Sequence, residues 1–75
     1  MNLLNDPLDE TQLNLLAVLQ EHPRLDDLQC AAYSSMAISK TREVLATLVE
    51  RKLVLLGADV YSLDRKALKE LLLSA

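Results

Sequence analysis

Residues 38–52 read ISKTREVLATLVERK, and the spacing of their apolar side chains indicates an amphipathic helix at the centre of the chain. Such i, i+3, i+4, i+7 spacing places one face of a helix on a hydrophobic core. The expected inner stripe consists of Ile38, Thr41, Leu45, Leu48 and Val49. The expected outer faces carry Lys40, Arg42, Glu43, Thr47 and Glu50. Arg51 and Lys52 suit the negative end of the helix dipole, so we expect the helix to end near Lys52.

A capping box predicts the start of a first helix. Asp9 is followed three residues later by Gln12, a spacing that lets each side chain bond the other residue's backbone amide. The helix is expected to run to about residue 22, because Pro23 disfavours helical backbone before it. Its apolar stripe is too wide for one core face, because Leu15 and Val18 point away from Leu13, Leu16 and Ala17. We expect Leu15 and Val18 to lie outside the core.

The same capping device recurs at Asp26 and Gln29 and predicts a short second helix from Asp27 to about Tyr33. Its expected inward residues are Leu28, Ala31 and Ala32. Ser34 and Ser35 should break it, since their hydroxyls bond the backbone in non-helical conformations.

Beyond the central helix, the runs LVLL and VYSL flank Gly57-Ala58-Asp59 and predict a tight β-hairpin. Asp64 caps a last helix, Arg65 to about Ser74. The core-facing residues expected there are Leu68, Leu71 and Leu72. Leu73 is left over, and with Leu15 and Val18 it would form surplus apolar surface. Pairing of the terminal helices across a two-fold axis would cover that surface, so these three residues are the predicted dimer interface.

Composition indicates one mostly α-helical domain, residues 1–75, with a small β-hairpin. The chain is 51% apolar, but its aromatic residues are only two tyrosines, so the core must be leucine-rich. The apolar runs are too short to span a bilayer, and no positive region precedes those at the N-terminus. Cys30 is the single cysteine, which excludes an intramolecular disulfide and a cysteine-based zinc cluster. We therefore expect a cytoplasmic protein without a cofactor.

Charge is distributed unevenly along the chain. The net charge is −3, which by itself argues against nucleic-acid binding. Residues 1–33 carry six acids and one arginine, a balance of −5, whereas residues 34–54 carry four basic and two acidic side chains, a balance of +2. The positive excess therefore lies on the central helix.

Residues 26–63 resemble the winged helix-turn-helix domain of bacterial and archaeal transcriptional regulators, such as the arsenic-resistance and multiple-antibiotic-resistance repressor families. The similarity lies in DLQCAAYSSMAISKTREVLATLVERKLV followed by LLGADVYSL. No closer family is indicated. The chain departs from the pattern at Ser35, where glycine is usual in the turn, and at Ala37, where a serine or threonine cap is usual. Its wing turn is short and acidic, whereas wings that bind DNA usually carry arginine or lysine.

The resemblance implies that the central helix enters the major groove of double-stranded DNA. The predicted base-reading residues are Ser39, Lys40, Arg42 and Glu43. Arg51 and Lys52 would contact phosphate. Two plainer interpretations stay open: the first four residues form only a solvated face with an internal Ser39–Glu43 or Lys40–Glu43 contact, and the last two only stabilise a helix end. Three basic residues of the last helix, Arg65, Lys66 and Lys69, could either face phosphate or only solubilise the protein, and the second interpretation is favoured.

Other residues give weak signals. His22 stands alone at a helix end, Cys30 reads as a small core side chain, and one glycine cannot form a phosphate-binding loop. No carboxylate pairs with a base or nucleophile at a recognisable spacing, so no enzyme is expected.

The sequence therefore predicts a small homodimeric DNA-binding regulator. The alternative is a winged-helix module that binds a protein partner, on the acidic face of its first two helices, with little or no DNA binding.

Overall fold

The computed structural model describes residues 8–74 and confirms the predicted mostly helical fold with one hairpin. The elements follow in the order α1 (Glu10–Glu21), α2 (Asp27–Ser34), α3 (Ile38–Glu50), β1 (Val54–Gly57), β2 (Val60–Leu63) and α4 (Arg65–Ser74). They form a compact globule whose topology, three helices and then an antiparallel hairpin, is consistent with a winged helix. Within residues 8–74, no helix has the length and apolar character needed to cross a membrane.

Both predicted capping boxes are present. The Gln12 amide donates to the Asp9 carboxylate at 2.9 Å, and the Asp9 amide donates to the Gln12 side chain at 3.2 Å. Asp26 and Gln29 repeat the exchange at 2.8 and 3.1 Å. Each box satisfies two amides that have no partner inside their helix, which explains why α1 and α2 begin where they do.

The turn between α2 and α3 contains a serine in the left-handed conformation. Ser35 has φ 60° and ψ 33° and follows the last residue of α2. This conformation favours glycine at helix ends, and the resemblance places a glycine at this position. At the other side of the turn, Ala37 occupies the N-cap position of α3, and no side-chain hydrogen bond caps this helix.

Three of the five residues predicted for the inner stripe of α3 lie in the core, whereas Ile38 and Val49 are half-buried and Val44, which the prediction left out, is 5% exposed. Leu45 and Leu48 are fully buried, and so is Thr41, whose hydroxyl donates to the Ala37 carbonyl at 2.9 Å. This bond removes the cost of burying the hydroxyl group. The helix ends at Glu50, two residues earlier than predicted, because Lys52 adopts a left-handed φ of 65°.

Leu15 and Val18 belong to this same core, so the prediction that they are surplus surface is wrong. Their exposed fractions are 0% and 9%. At 100° per residue, positions 15, 16, 18 and 19 form one contiguous face of α1, which packs on the rest of the chain. Of the residues predicted to lie on the other side of the helix, only Leu16 is in the core, whereas Leu13 is 51% exposed and Ala17 is exposed. Two of the three predicted dimer-interface residues are therefore unavailable to a partner.

The inward face of α2 also differs from the prediction. Leu28 is 62% exposed and Ala32 is exposed, whereas Cys30 and Ser34 are buried. A helix of only two turns has one narrow inward stripe, here an i, i+4 pair of small side chains. The expectation that Cys30 is a small core side chain is confirmed.

The hairpin is closed by a two-residue turn. Gly57 pairs with Val60 as the last pair of the ladder, so Gly57 lies in β1 and only Ala58 and Asp59 form the turn. A third extended segment joins the sheet, because Leu25 and Tyr61 exchange backbone hydrogen bonds of 3.1 and 2.7 Å. β2 therefore lies between β1 and Leu25.

α4 begins as predicted, with the Ala67 amide donating to the Asp64 carboxylate at 3.1 Å. Ala67 and Leu68 pack against the core, and Leu73 is 77% exposed. The side chains of Leu71 and Leu72, predicted to face the core, lie outside the described part of the structure.

Changing the turn to Ala58→Asn with Asp59→Gly is expected to stabilise the fold by about 1 kcal/mol. Ala58 and Asp59 have φ of 53° and 62°, the combination that two-residue hairpin turns of type I′ require. Asn-Gly adopts it with less strain than Ala-Asp. Urea unfolding followed by circular dichroism measures the change, and an unchanged or lower unfolding midpoint would contradict it.

Candidate nucleic-acid interface

The outer side of α3 is exposed to solvent. Ser39, Lys40, Arg42 and Glu43 lie on its first two turns, and all four are exposed. They stand opposite Thr41, Val44, Leu45 and Leu48, whose burial fixes the rotation of the helix about its axis. No described segment of the chain covers this surface, so it is available to a partner.

Arg42 is held by α2. Its Nε donates to Asp27 Oδ2 at 2.8 Å, and the two side chains are 60% and 30% exposed. This hydrogen bond is the main cause that lowers the pKa of the Asp27 carboxyl group. The stability that the contact adds is therefore present above pH 3.8, the carboxyl group's ordinary pKa, and is lost as the pH falls below it. In the described part of the chain, both Nη atoms of Arg42 remain without a hydrogen bond.

Arg51 and Lys52 differ in their surroundings. The Arg51 Nη1 donates to Gln12 Oε1 at 3.1 Å, so its guanidinium group ties the end of α3 to the start of α1. Lys52 is exposed just beyond the helix. Of this pair, Lys52 is the one whose charge faces solvent.

Acidic side chains adjoin the basic ones. Asp26, Asp27 and Asp59 line a shallow cleft with Leu56 and Tyr61, between the start of α2 and the hairpin turn. Burial, followed by the charge of Asp27, raises the pKa of the Tyr61 hydroxyl group. A phosphate group would be repelled from this cleft.

The start of α1 adds another acid near the basic face. The Thr11 hydroxyl group and then the Gln12 amide lower the pKa of Asp9, with a smaller contribution from the charge of Lys40. The positive charge of the α3 face is therefore partly offset by α1 and α2, which the sequence order alone did not show.

Cys30 and His22, the two remaining candidate residues, both make packing contacts within the protein. Cys30 is fully buried, and burial, followed by the charges of Asp26 and Asp27, raises its thiol pKa to about 11. The thiol is therefore protonated at neutral pH and unreactive. His22 stacks on Tyr33 with ring centroids 4.1 Å apart. Among the described residues, no three His, Cys, Asp or Glu side chains are placed to hold a metal ion.

Comparison of the chain with protein-family models, with curated proteins and with solved structures finds no match. Its function is therefore inferred from its own geometry.

Proposed function

We propose that this chain is a cytoplasmic, non-enzymatic transcriptional regulator that binds double-stranded DNA as a homodimer through α3. The observation that carries the proposal is the uncovered outer side of α3 on a winged-helix-like fold. A helix in this position fits the major groove of B-DNA, which is about 12 Å wide. Its exposed side chains include both hydrogen-bond donors and an acceptor, as reading of base edges requires.

Arg42 is the strongest candidate for reading a base. Its contact with Asp27 uses only Nε, and the two Nη atoms can donate to O6 and N7 of guanine. Because Asp27 already fixes the guanidinium plane, less side-chain entropy is lost when the base contact forms. Asp27 thus positions Arg42 without touching the DNA.

The other exposed residues of α3 complete the proposed contacts. Glu43 can accept from the amino group of cytosine, and Ser39 and Lys40 can donate to bases or to phosphate. Lys52 contributes a phosphate contact. Arg51 is assigned instead to holding α1 and α3 together, because its guanidinium group donates to Gln12.

The small number of basic side chains on this surface is the reason for proposing a homodimer. Each copy offers Lys40, Arg42 and Lys52 to DNA and has a net charge of −3, so one copy alone would bind weakly. Two copies on neighbouring half-sites would double the phosphate contacts.

A salt titration of binding to duplex DNA tests this proposal. With two or three phosphate contacts per copy, log K should fall against log [salt] with a slope of about −2 to −3 per copy. Fluorescence anisotropy of a labelled duplex of random sequence measures the sequence-independent part of binding. Absence of binding at about 50 mM salt, where phosphate contacts are strongest, or a slope near zero, would contradict the proposal.

The second candidate is a module that binds a protein partner. The observation that favours it is the cleft of Asp26, Asp27 and Asp59, with Leu56 half-exposed at its side. A basic and apolar segment of another protein would complement this cleft on the acidic side of the molecule. Under this alternative, replacing Lys40 and Arg42 by alanine leaves the protein complex intact, whereas it removes DNA binding under the first proposal.

A further inference from the structure

The outer edge of the hairpin is an unprotected β-edge. β2 lies between β1 and Leu25, so β1 is the outermost strand, and no described segment pairs with its other side. Its sequence, VLLG, contains none of the charged or proline residues that commonly protect edge strands from pairing with another chain.

The hydrogen-bonding pattern shows which backbone groups face this edge. Opposite residues of an antiparallel pair alternate between bonding each other and pointing away. Tyr61 uses its N–H and C=O groups on Leu25, at 2.7 and 3.1 Å, so it cannot bond Leu56, the residue opposite it in β1. The N–H and C=O groups of Leu56 therefore point outward, and within residues 8–74 they have no partner.

Apolar side chains flank these groups on both faces of the sheet. Leu55 and Leu56 are neighbours in β1, so their side chains lie on opposite faces. They are 51% and 52% exposed. An added strand would therefore gain apolar contact on either face as well as the two backbone hydrogen bonds of Leu56.

Gly57 is the only glycine of the chain, and neither the backbone conformation nor the packing at this position requires a glycine. Its φ is not positive, and a Cβ atom at this position would meet nothing within 4 Å. Glycine weakens a strand and often marks a place where another group approaches closely. The open space beside Gly57 is therefore room for a side chain from outside the molecule.

We propose that β1 pairs antiparallel with β1 of a second copy, across a two-fold axis at Leu56. In this register, Leu56 exchanges both backbone hydrogen bonds with Leu56 of the second copy. Leu55 of each copy then lies opposite Gly57 of the other copy. The large leucine side chain fills the space beside the glycine at both places. An isologous contact needs such a self-complementary surface, and β1 carries no charge to oppose it.

This pairing specifies the contact within the homodimer of the proposed function, and it does not depend on DNA binding. Four residues from each copy make a small interface, so the association is weak and depends on concentration. Salt distinguishes the two processes. Added salt should strengthen the pairing of two copies, because it screens the repulsion between their net charges of −3. It should weaken DNA binding, because it competes with contacts to phosphate.

Sedimentation equilibrium without DNA, from about 10 μM to 1 mM protein, tests the pairing. The unchanged chain should show a monomer–dimer equilibrium, and Leu56→Lys should raise the dissociation constant at least about 10-fold. Leu13→Lys is the matched control, because Leu13 is 51% exposed and the substitution adds the same charge elsewhere. It should leave the dissociation constant within about 2-fold of the unchanged value.

A second variant tests the register. Gly57→Val fits the open space in the monomer and should preserve the helical circular dichroism spectrum. It should lower the dissociation constant by about 2- to 10-fold, because valine would lie directly opposite Leu55 of the second copy at two places in the pairing. A chain that stays monomeric at about 1 mM overturns the proposal. Equal weakening by Leu13→Lys and Leu56→Lys, or a Gly57→Val dimer no tighter than that of the unchanged chain, also overturns it. A dimer that forms in a chain unable to bind DNA would reject only the DNA-binding proposal.

Discussion

Replacing Leu15 by alanine is expected to destabilise the fold by about 3 kcal/mol, within the range of about 2–5 kcal/mol for buried leucines. Leu15 is fully buried and belongs to the same core cluster as Leu45 and Leu48 of α3. A chain of this size has roughly 4–11 kcal/mol of stability in all. The substitution should lower the melting temperature by roughly 12–24 °C, and urea unfolding followed by circular dichroism measures the free energy.

Leu13→Ala provides the matched control on the same helix. Leu13 is two residues away and 51% exposed, so its truncation should change stability by less than about 0.5 kcal/mol. The pair therefore measures which face of α1 lies in the core. Equal costs for the two substitutions, or a larger cost at Leu13, would be incompatible with the packing described above.

Replacing both Lys40 and Arg42 by alanine is expected to weaken binding to duplex DNA by about 100-fold or more. A base or phosphate contact from an arginine or lysine contributes about 1–3 kcal/mol, and removing both side chains costs roughly 3 kcal/mol. Fluorescence anisotropy with a duplex at low salt measures the affinity. The slope of log K against log [salt] should become shallower by about one for each phosphate-binding side chain that is replaced.

The control for this pair is Lys66→Ala with Lys69→Ala on α4. It removes the same number of positive charges from exposed positions on another helix, so it should reduce affinity by no more than about 3-fold through net charge alone. If both pairs weaken binding equally, α3 does not read the DNA. Circular dichroism spectra of both double variants should match that of the unchanged chain, since all four side chains are exposed.

Local signals in the sequence predicted the order of elements well. Each capping box depends on two residues three positions apart, and the hairpin depends on two apolar runs joined by a short turn; the structure confirms all three. The centre of the inner stripe of α3, Thr41, Leu45 and Leu48, was also predictable from its helical spacing, although the buried Val44 was missed. α1 lacks such a clear spacing, with six apolar residues in seven positions. The elements that pack against α1 determine which of its faces is buried. The sequence of α1 alone therefore led to the wrong prediction for Leu15 and Val18.

The features that define the candidate interface involve residues far apart in sequence. Asp27 meets Arg42 across fifteen positions, and Arg51 meets Gln12 across thirty-nine. Neither contact has a local pattern that would reveal it. The backbone pairing of Leu25 with Tyr61 was missed for the same reason, since a single extended residue gives no strand signal. These contacts depend on the tertiary arrangement of α1, α2 and the hairpin.

Because Cys30 is buried, the rate at which its thiol is modified can report transient local unfolding of the chain. Its sulfur is the only thiol in the chain and has no exposed surface in the folded state. An alkylating reagent should reach it only in molecules that have transiently opened around α2. The rate of thiol modification in native buffer would then track the population of open molecules, without denaturant and without any added label.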